Sequence, residues 1–286
     1  MSESNRRSET MRCPRVLTIL ATIMLCTASV SRAQQPPAAP TAPDATEDLA
    51  KKLANPISDL VSVPFQFNWE QNVGPHEATR FILNVQPVMP FALNTDWNLV
   101  TRVIVPLVSQ PALVEGGSPA FGVSDILTSF FVSPSRPGLI WGVGPAISLP
   151  STSIPTLGTE KWSVGPTAVV LKQSGKMTYG ALWNQVWSFS GSTQRADVNQ
   201  MFLQPFFAYQ AARTLTVTLQ SETTANWEVE EDRWTVPINL IFAKLSSFGA
   251  FPASYQLGVG GFAAHPDVGP SWKIRGAIVI LLPRRQ

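Results

Sequence analysis

Seven charged residues of this chain lie at the polar positions of segments in which every second residue is apolar. Because successive side chains of a β-strand point to opposite faces, these seven are expected together on the face opposite the apolar one. Charges gathered on one enclosed face either line a passage that selects small solutes or fill a closed interior as a network of ion pairs. The candidate pore-lining residues are Arg102, Arg275, Arg80, Lys273, Asp125, Glu70 and Glu222.

Arg102 and Arg275 lie deepest within their predicted strands. We predict that they form the constriction of a lumen, because charges at mid-membrane depth are functional candidates, with structural ion pairing as the alternative. Amides at the same polar positions would share this interior: Asn68, Asn84, Gln86, Asn98, Gln200, Gln204, Asn239 and Gln256.

The sequence offers little that could perform catalysis. Its two histidines, His76 and His265, both fall in predicted loops, and neither is placed beside a serine and a carboxylate or carboxamide, as a barrel phospholipase requires. The Gly-Val-Gly-Pro run at 142–145 lacks the spacing of a phosphate-binding loop, so its small residues are expected to make room in the interior. We expect no enzyme, no catalytic residue, no cofactor and no metal.

An acidic run in a predicted external loop is the remaining candidate for metal binding. Glu228, Glu230, Glu231 and Asp232 could hold a divalent cation through oxygen ligands. A spaced ligand loop is not evident, so a solvated acidic loop at a lipopolysaccharide surface is favoured.

Strands must position these residues. In residues 79–108, Phe81, Leu83 and Val85 share one parity, turn-forming residues follow at 93–96, and the alternation resumes at Trp97. The same pattern along the chain predicts an all-β fold of about twelve strands. The predicted strands are 61–70, 79–92, 97–108, 122–133, 139–149, 162–171, 177–189, 199–209, 214–222, 233–243, 253–262 and 271–282.

Alternating strands fit either a soluble sandwich or a membrane barrel, and three observations favour a transmembrane antiparallel up-and-down β-barrel. Short and long links alternate, with 71–78 among the longer links and 244–252 the poorest fit. No strand charge falls on the apolar parity, where Arg or Lys at mid-depth would cost roughly 2–4 kcal/mol. Tryptophans near strand ends suit an interfacial girdle: Trp69, Trp97, Trp162, Trp234 and Trp272.

Prolines inside the predicted strands are the feature that fits this fold least well. Each removes a backbone donor from the ladder, and bulges, strand ends or kinks account for only some of them. The prolines are Pro87, Pro90, Pro106, Pro145, Pro166, Pro205 and Pro237.

The start of the chain predicts export. Arg12 and Arg15 precede an apolar run at 16–30, and small residues at 31 and 33 suit a signal peptidase, so residues 1–33 are a predicted signal peptide. Residues 34–56 are predicted as a Pro/Ala-rich linker with a short helix at 47–53, capped by Thr46, before a barrel at 57–286. A frayed periplasmic helix is favoured over a plug that enters the barrel.

Removing the signal peptide changes both the cysteine content and the charge. Cys13 and Cys26 both lie within it, so no disulfide or thiolate metal site is expected afterwards. Five of the 21 basic and two of the 19 acidic residues leave with it, so 16 face 17 and the net charge is about −1. No basic patch argues for binding to nucleic acid.

Nine segments carry a family resemblance: LANPISDLVSVPFQFNWEQNVGP (53–75), RFILNVQPVMPF (80–91), DWNLVTRVIVPLV (96–108), SDILTSFFVSP (124–134), WGVGPAISLP (141–150), EKWSVGPTAVVLKQ (160–173), TYGALWNQVWSFSG (178–191), FLQPFFAYQ (202–210) and RWTVPINL (233–240). Together they resemble bacterial outer-membrane barrels near the meta-pathway phenol-degradation-like proteins, usually labelled transporters and sometimes mislabelled as the hormone neuromedin U. The resemblance implies a small transmembrane barrel and names a substrate only vaguely. The chain departs from common barrels by ending in LLPRRQ rather than in an aromatic residue.

These observations predict a Gram-negative outer-membrane channel or transporter with periplasmic termini, which passes small solutes through a polar, charge-lined lumen. The alternative is a closed structural or surface-interaction barrel that acts through its external loops. The expected partners are outer-membrane lipid and lipopolysaccharide, a small-molecule solute and, during biogenesis, the barrel-assembly machinery, with no nucleic acid.

Overall fold

The computed structural model describes residues 42–136 and 138–283, so the predicted signal peptide and the first part of the linker lie outside the described residues. One α-helix, α1 (Ala42–Leu53), precedes the strands, and a single 3-10 turn lies at Pro155–Leu157. The strands are β1 (Val61–Val73), β2 (Ala78–Val85), β3 (Val88–Ala92), β4 (Trp97–Gln110), β5 (Ala120–Val123), β6 (Ile126–Pro134), β7 (Ile140–Leu149), β8 (Lys161–Ser174), β9 (Met177–Gly191), β10 (Asn199–Ala212), β11 (Leu215–Ser221), β12 (Thr223–Asn226), β13 (Trp234–Phe248), β14 (Phe251–Ala264) and β15 (Trp272–Leu282).

All strands belong to one antiparallel sheet that closes on itself. Pairing follows the order of the chain around the sheet, and β1 pairs with β15 from Val61↔Leu282 to Gln71↔Trp272, which closes the ring. In three places two consecutive strands follow one line of the wall, namely β2 with β3, β5 with β6, and β11 with β12. The fifteen strands therefore occupy twelve strand positions around the barrel, here called staves. This confirms the predicted up-and-down barrel of about twelve strands.

The breaks within these three staves place particular side chains. Residues 86–87 separate β2 from β3, residues 124–125 separate β5 from β6, and Glu222 alone separates β11 from β12. The predicted strands 79–92 and 122–133 each covered both halves of a broken stave, whereas the predicted strand 214–222 stopped at the break. Gln86, Asp125 and Glu222 thus lie where the regular strand is interrupted.

The two faces of the wall differ sharply in polarity. Large apolar side chains cover the outside, and Leu257, Phe189 and Phe121 are 65%, 64% and 62% exposed. Such a continuous apolar belt is what a barrel presents to the hydrocarbon of a bilayer. The five tryptophans of the predicted girdle are all outward and partly exposed, at 37–42%, and lie near the ends of their strands.

The links between staves differ at the two edges of the barrel. One edge, here named the turn edge, carries the links 93–96, 135–139, 175–176, 213–214 and 249–250 and also both ends of the barrel sequence. The other, the loop edge, carries 74–77, 111–119, 150–160, 192–198, 227–233 and 265–271. The predicted 244–252 link, which was too long for the turn edge, is in fact a two-residue turn at 249–250, because β13 continues to Phe248 and β14 begins at Phe251. The predicted long link at 71–78 is wrong, since β1 continues to Val73.

Helix α1 and the residues after it pack against the turn edge of the interior. The helix begins at Ala42, so Thr46 lies within it and is not the predicted N-cap. Gln173 Nε2 donates to Lys51 O at 2.8 Å, and Ile57 is buried among inward-facing side chains that include Phe131 and Leu182. The favoured interpretation of a frayed helix free of the barrel is therefore wrong. Over the described residues, no helix is both long and apolar enough to span a bilayer.

Candidate functional site

The candidate site is the band of charged side chains inside the barrel, and neighbouring strands make room for it. Lys273 and Arg275 project inward from β15, where their cross-strand partners on β14 are Gly260 and Gly258. Two large cations can lie side by side there because the opposite positions carry no side chain. Gly260 also lets the amide of Asn239 lie against the wall, because a Cβ at Gly260 would stand 2.3 Å from Asn239 Oδ1.

Glu222 is the hub of this band. Its Oε2 accepts a hydrogen bond from Arg275 Nη2 and lies 3.6 Å from Lys273 Nζ. Arg275 Nε donates to Asn68 Oδ1 at 3.0 Å, which ties the hub to β1. Arg275 and Lys273 are almost fully buried, at 2% and 3% exposure, so their charges depend on this carboxylate.

A second ion pair lies one step towards the loop edge. Glu70 and Arg80 are direct cross-strand partners on β1 and β2, and Arg80 Nη2 and Nε each lie 2.7 Å from Glu70 Oε2. Glu70 is buried. Lys273 and Arg275 on β15, Glu70 on β1 and Arg80 on β2 lie on three neighbouring staves, because β15 pairs with β1 and β1 pairs with β2.

Arg102 projects inward from β4. Its Nη2 donates to Gln86 Oε1 at 2.6 Å, and Gln86 Nε2 donates onward to Gln66 Oε1 at 3.2 Å. Gln86 is buried at the break between β2 and β3. Arg102 is therefore oriented by an amide chain, while the other interior arginines of the band are held by carboxylates.

Arg102 lines two cavities inside the described part of the barrel. The inner cavity, about 200 Å³, is bounded by residues around α1 at the turn edge and by Glu222 and Arg275. The outer cavity, about 400 Å³, reaches towards the loop edge and is lined by Asp125 and Asn184 among others. Arg102 and Arg275, the predicted constriction residues, thus both line the inner cavity, and Arg102 alone of the two reaches the outer one.

Asp125 stands apart from the other six predicted residues. Its Oδ2 accepts hydrogen bonds from the backbone nitrogen and the hydroxyl of Thr159, both at 2.7 Å. Its Oδ1 is buried and has no hydrogen-bond partner among the described residues. Asp125 therefore fastens the 150–160 loop to the inner wall, and it lines the outer cavity without joining the charged band.

Lys161 is an interior cation at the start of β8 that the predicted strand pattern did not include. Lys161 is buried and its Nζ donates to Asp197 Oδ1 at 2.9 Å. This hydrogen bond and the charge of Lys161, with a further hydrogen bond from Ser188, lower the pKa of the Asp197 carboxyl below its usual value. Lys161 shares the parity of the inward Ser163, so extending the predicted strand 162–171 by one residue would have identified it.

The other candidates for chemistry remain separate from the interior. His76 Nε2 lies 3.7 Å from Glu115 Oε2 in an exposed pair, and His265 Nδ1 lies 2.8 Å from Pro266 O. The four acidic side chains of the 227–233 loop are exposed, and the guanidinium of Arg233 there lies over the Trp227 ring. Within the described ranges, no three metal-ligating side chains are grouped.

Comparison with known proteins finds similarity in structure alone. No protein-family model and no curated protein matches the chain. An outer-membrane channel from Pseudomonas putida F1 superposes with a TM-score of 0.58 and 14% identity, over 78% of this chain and 96% of that one. The NanC porin superposes with a TM-score of 0.50 and 8% identity, over 78% and 100%. Outer-membrane phospholipase A from Escherichia coli has a TM-score of 0.45 and 11% identity, over 83% and 98%. The first two likenesses show that the fold is a known barrel architecture, and the third is too weak to bear on activity.

Proposed function

We propose that the protein is an outer-membrane channel or transporter that passes small solutes through its polar, charge-lined lumen. The observation that carries this proposal is the position of Arg102, which lines both cavities of a closed barrel whose outer face is apolar. Solutes that travel between the edges must pass the level of this guanidinium. Charged rings at a narrow point select solutes in pores generally.

The orientation is part of the proposal. Bacterial barrels place short turns in the periplasm and longer loops outside, so the turn edge and both termini are assigned to the periplasm. The loop edge then meets lipopolysaccharide, and the barrel-assembly machinery inserts the chain. Kinship with the meta-pathway phenol-degradation-like barrels is proposed on the sequence segments given above, and the fold likeness to the channel of Pseudomonas putida F1 is compatible with it.

The absence of catalysis is also proposed. The argument is chemical, because hydrolysis by serine needs an imidazole within hydrogen-bond reach of the hydroxyl. The recorded contacts of His76 and His265 are with Glu115 and Pro266.

Planar-bilayer recording of the refolded mature protein, residues 34–286, tests this function. We expect discrete current steps, and we expect Arg102→Ala and Arg275→Ala to alter the ion selectivity measured from reversal potentials. Unchanged conductance and selectivity in both variants would remove the constriction assignment. A folded barrel that stays silent would contradict the channel proposal.

The second candidate is a closed barrel that acts through its external loops, and one observation favours it. The segment at 50–58 lines the inner cavity, which is only about 200 Å³, and Ile57 is anchored among interior side chains. The same bilayer recording separates the two functions, because the closed barrel conducts no ions whereas the channel does.

A further inference from the structure

Arg102 differs from the other cations of the charged band in what surrounds it. Arg80, Lys273 and Arg275 each have a carboxylate oxygen within 3.6 Å. No ion pair to Arg102 is found among the described residues, where its hydrogen bond is the one to Gln86. Glu222 is already engaged, since its Oε2 lies between Arg275 and Lys273. A guanidinium has five N–H donors, so Arg102 retains donors for a ligand.

The outer cavity places this guanidinium in a chamber with mixed walls. Ile104, Leu127, Leu182 and Phe202 belong to its apolar part, and serine, threonine, asparagine and glutamine side chains line much of the rest. A volume of about 400 Å³ is in the range of small-molecule sites, which combine apolar walls with a few polar groups that fix orientation. The chamber therefore suits a small molecule that has an apolar body and one anionic end.

Asp125 limits the charge that such a molecule can carry. Arg102 is the cross-strand partner of Ser129, and Asp125 precedes Ser129 by four residues on the same stave. At about 3.3 Å per residue the two charged positions are roughly 13 Å apart along the wall. A ligand whose carboxylate meets Arg102 thus points its other end towards a carboxylate, which repels a second negative charge.

We propose that the outer cavity is a binding site for small monocarboxylates with an apolar body, held by a charge-assisted hydrogen bond to Arg102. The inference rests on the proposed channel function and names the class of solute that the channel takes. A carboxylate would accept from the guanidinium of Arg102, for which no ion pair within 4 Å is found in the described part of the chain, and such charge-assisted bonds are roughly twice as strong as neutral ones. The apolar body displaces water from Ile104, Leu127 and Phe202.

Calorimetric titration of the detergent-folded mature protein tests the site with matched probes. Benzoate is the carboxylate probe, benzamide is its neutral isostere, and terephthalate carries a second carboxylate at the far end of the ring. We expect benzoate to bind at least ~10-fold more tightly than either, as the loss of a hydrogen bond to a charged group implies. Equal affinity for benzoate and benzamide would overturn the proposal, and equal affinity for terephthalate would overturn the limit to one carboxylate.

Variants locate the site. Arg102→Gln should lower benzoate affinity at least ~10-fold while benzamide binding stays the same, because only the charged fork is removed. Arg213→Gln removes the same charge from an exposed turn at the opposite edge and should leave benzoate affinity unchanged. Benzoate bound equally by Arg102→Gln and Arg213→Gln would contradict the assignment. If Arg102→Gln does not fold, the Arg102→Lys variant and the three probes on the unaltered barrel still test whether the outer cavity binds a carboxylate at Arg102.

Binding and conduction fail independently, which keeps the two proposals apart. A barrel that binds benzoate selectively but passes no current would contradict the channel and support the site. A barrel that conducts but does not distinguish benzoate from benzamide would support the channel and overturn the inference about its solute.

Discussion

At Glu222, one carboxylate serves two buried cations. Arg275 and Lys273 both approach its Oε2, and its Oε1 accepts from Gln220 Nε2 at 3.4 Å. Taking three charges out of water is costly, and the cost is recovered only while all three remain together. The hub therefore holds β11, β12 and β15 in a fixed relation, whatever solute passes beside it.

Glu222→Gln should destabilise the barrel by about 3 kcal/mol, because it leaves two like charges buried without a carboxylate. Urea unfolding of the barrel in lipid vesicles, followed by tryptophan fluorescence, measures this change. Glu228→Gln, in an exposed loop, is the matched control and should stay within about 0.5 kcal/mol of the unaltered protein. Similar unfolding curves for both variants would show that Glu222 does not contribute to the free energy of unfolding.

Asp197 provides a pH-dependent contact at the loop edge. Its pKa is lowered in the folded state by Lys161, so the contact stabilises the 192–198 loop above the unfolded pKa and is lost as pH falls through the folded pKa. We expect amide hydrogen exchange in this loop to accelerate in acid relative to other loops. Asp197→Asn should show the faster exchange already at neutral pH, and an unchanged loop in that variant would rule the contact out.

At the scale of elements, several of the prolines that seemed incompatible with strands mark irregular places in the wall. Pro87 lies in the break between β2 and β3, and Pro237 lies at the register shift of the β13–β14 pair. Pro145 and Pro166 face each other across β7 and β8, so neither requires a donor from the other. Pro205 pairs with Ala181 on one side, and on the other side it lies opposite the break between β11 and β12, between the pairs Leu203↔Thr223 and Phe206↔Gln220.

The N-terminal segment is the element whose removal should change conduction most. A protein that begins at Ile57 loses α1, the donor contact to Lys51 and the lining of the inner cavity at 50–56. We expect its single-channel conductance to rise severalfold over that of residues 34–286. A protein that begins at residue 42 retains α1 and should conduct as the longer form does. Equal conductance for all three forms would show that α1 does not obstruct the lumen.

Ile57 anchors this segment and offers a milder test. Ile57 packs beneath Gly142, where a Cβ would stand 3.3 Å from its Cδ1. Ile57→Ala should weaken the packing by about 2–4 kcal/mol, since Ile-to-Ala changes in well-packed sites cost that much. More frequent transitions to the higher conductance level are expected in single-channel records. An unaltered record would place the anchor elsewhere.

At the scale of the whole molecule, the charged band has a surplus of positive charge. Arg80, Arg102, Lys273 and Arg275 face Glu70 and Glu222, four cations against two carboxylates. Reversal potentials in a potassium chloride gradient should therefore indicate a preference for chloride, because an interior field of one sign attracts the opposite ion. The preference should weaken in 1 M salt, where the Debye length is about 3 Å. A preference for potassium would mean that the band does not control the current.

The sequence by itself determined the wall of this protein. Strand alternation is a local, two-residue property, so the parity of Arg102 or Lys273 could be read without knowing any neighbour. The number of staves follows from the same property, because each stave repeats the alternation between recognisable turns. The signal peptide and the orientation in the membrane remain predictions of the same kind.

Only the tertiary structure decided which interior groups meet. Arg275 and Asn68 are 207 residues apart, and Arg275 and Glu222 are 53 apart, and closure of the sheet fixes both contacts. The three stave breaks depend on the register of neighbouring strands, so no local pattern marks Glu222 or Gln86 as residues at a break in the wall. The burial of Ile57 likewise needs the completed barrel, because its partners come from β3, β4, β6, β8 and β9. A residue's face is set within its own strand, but its partners are set by how the ring closes.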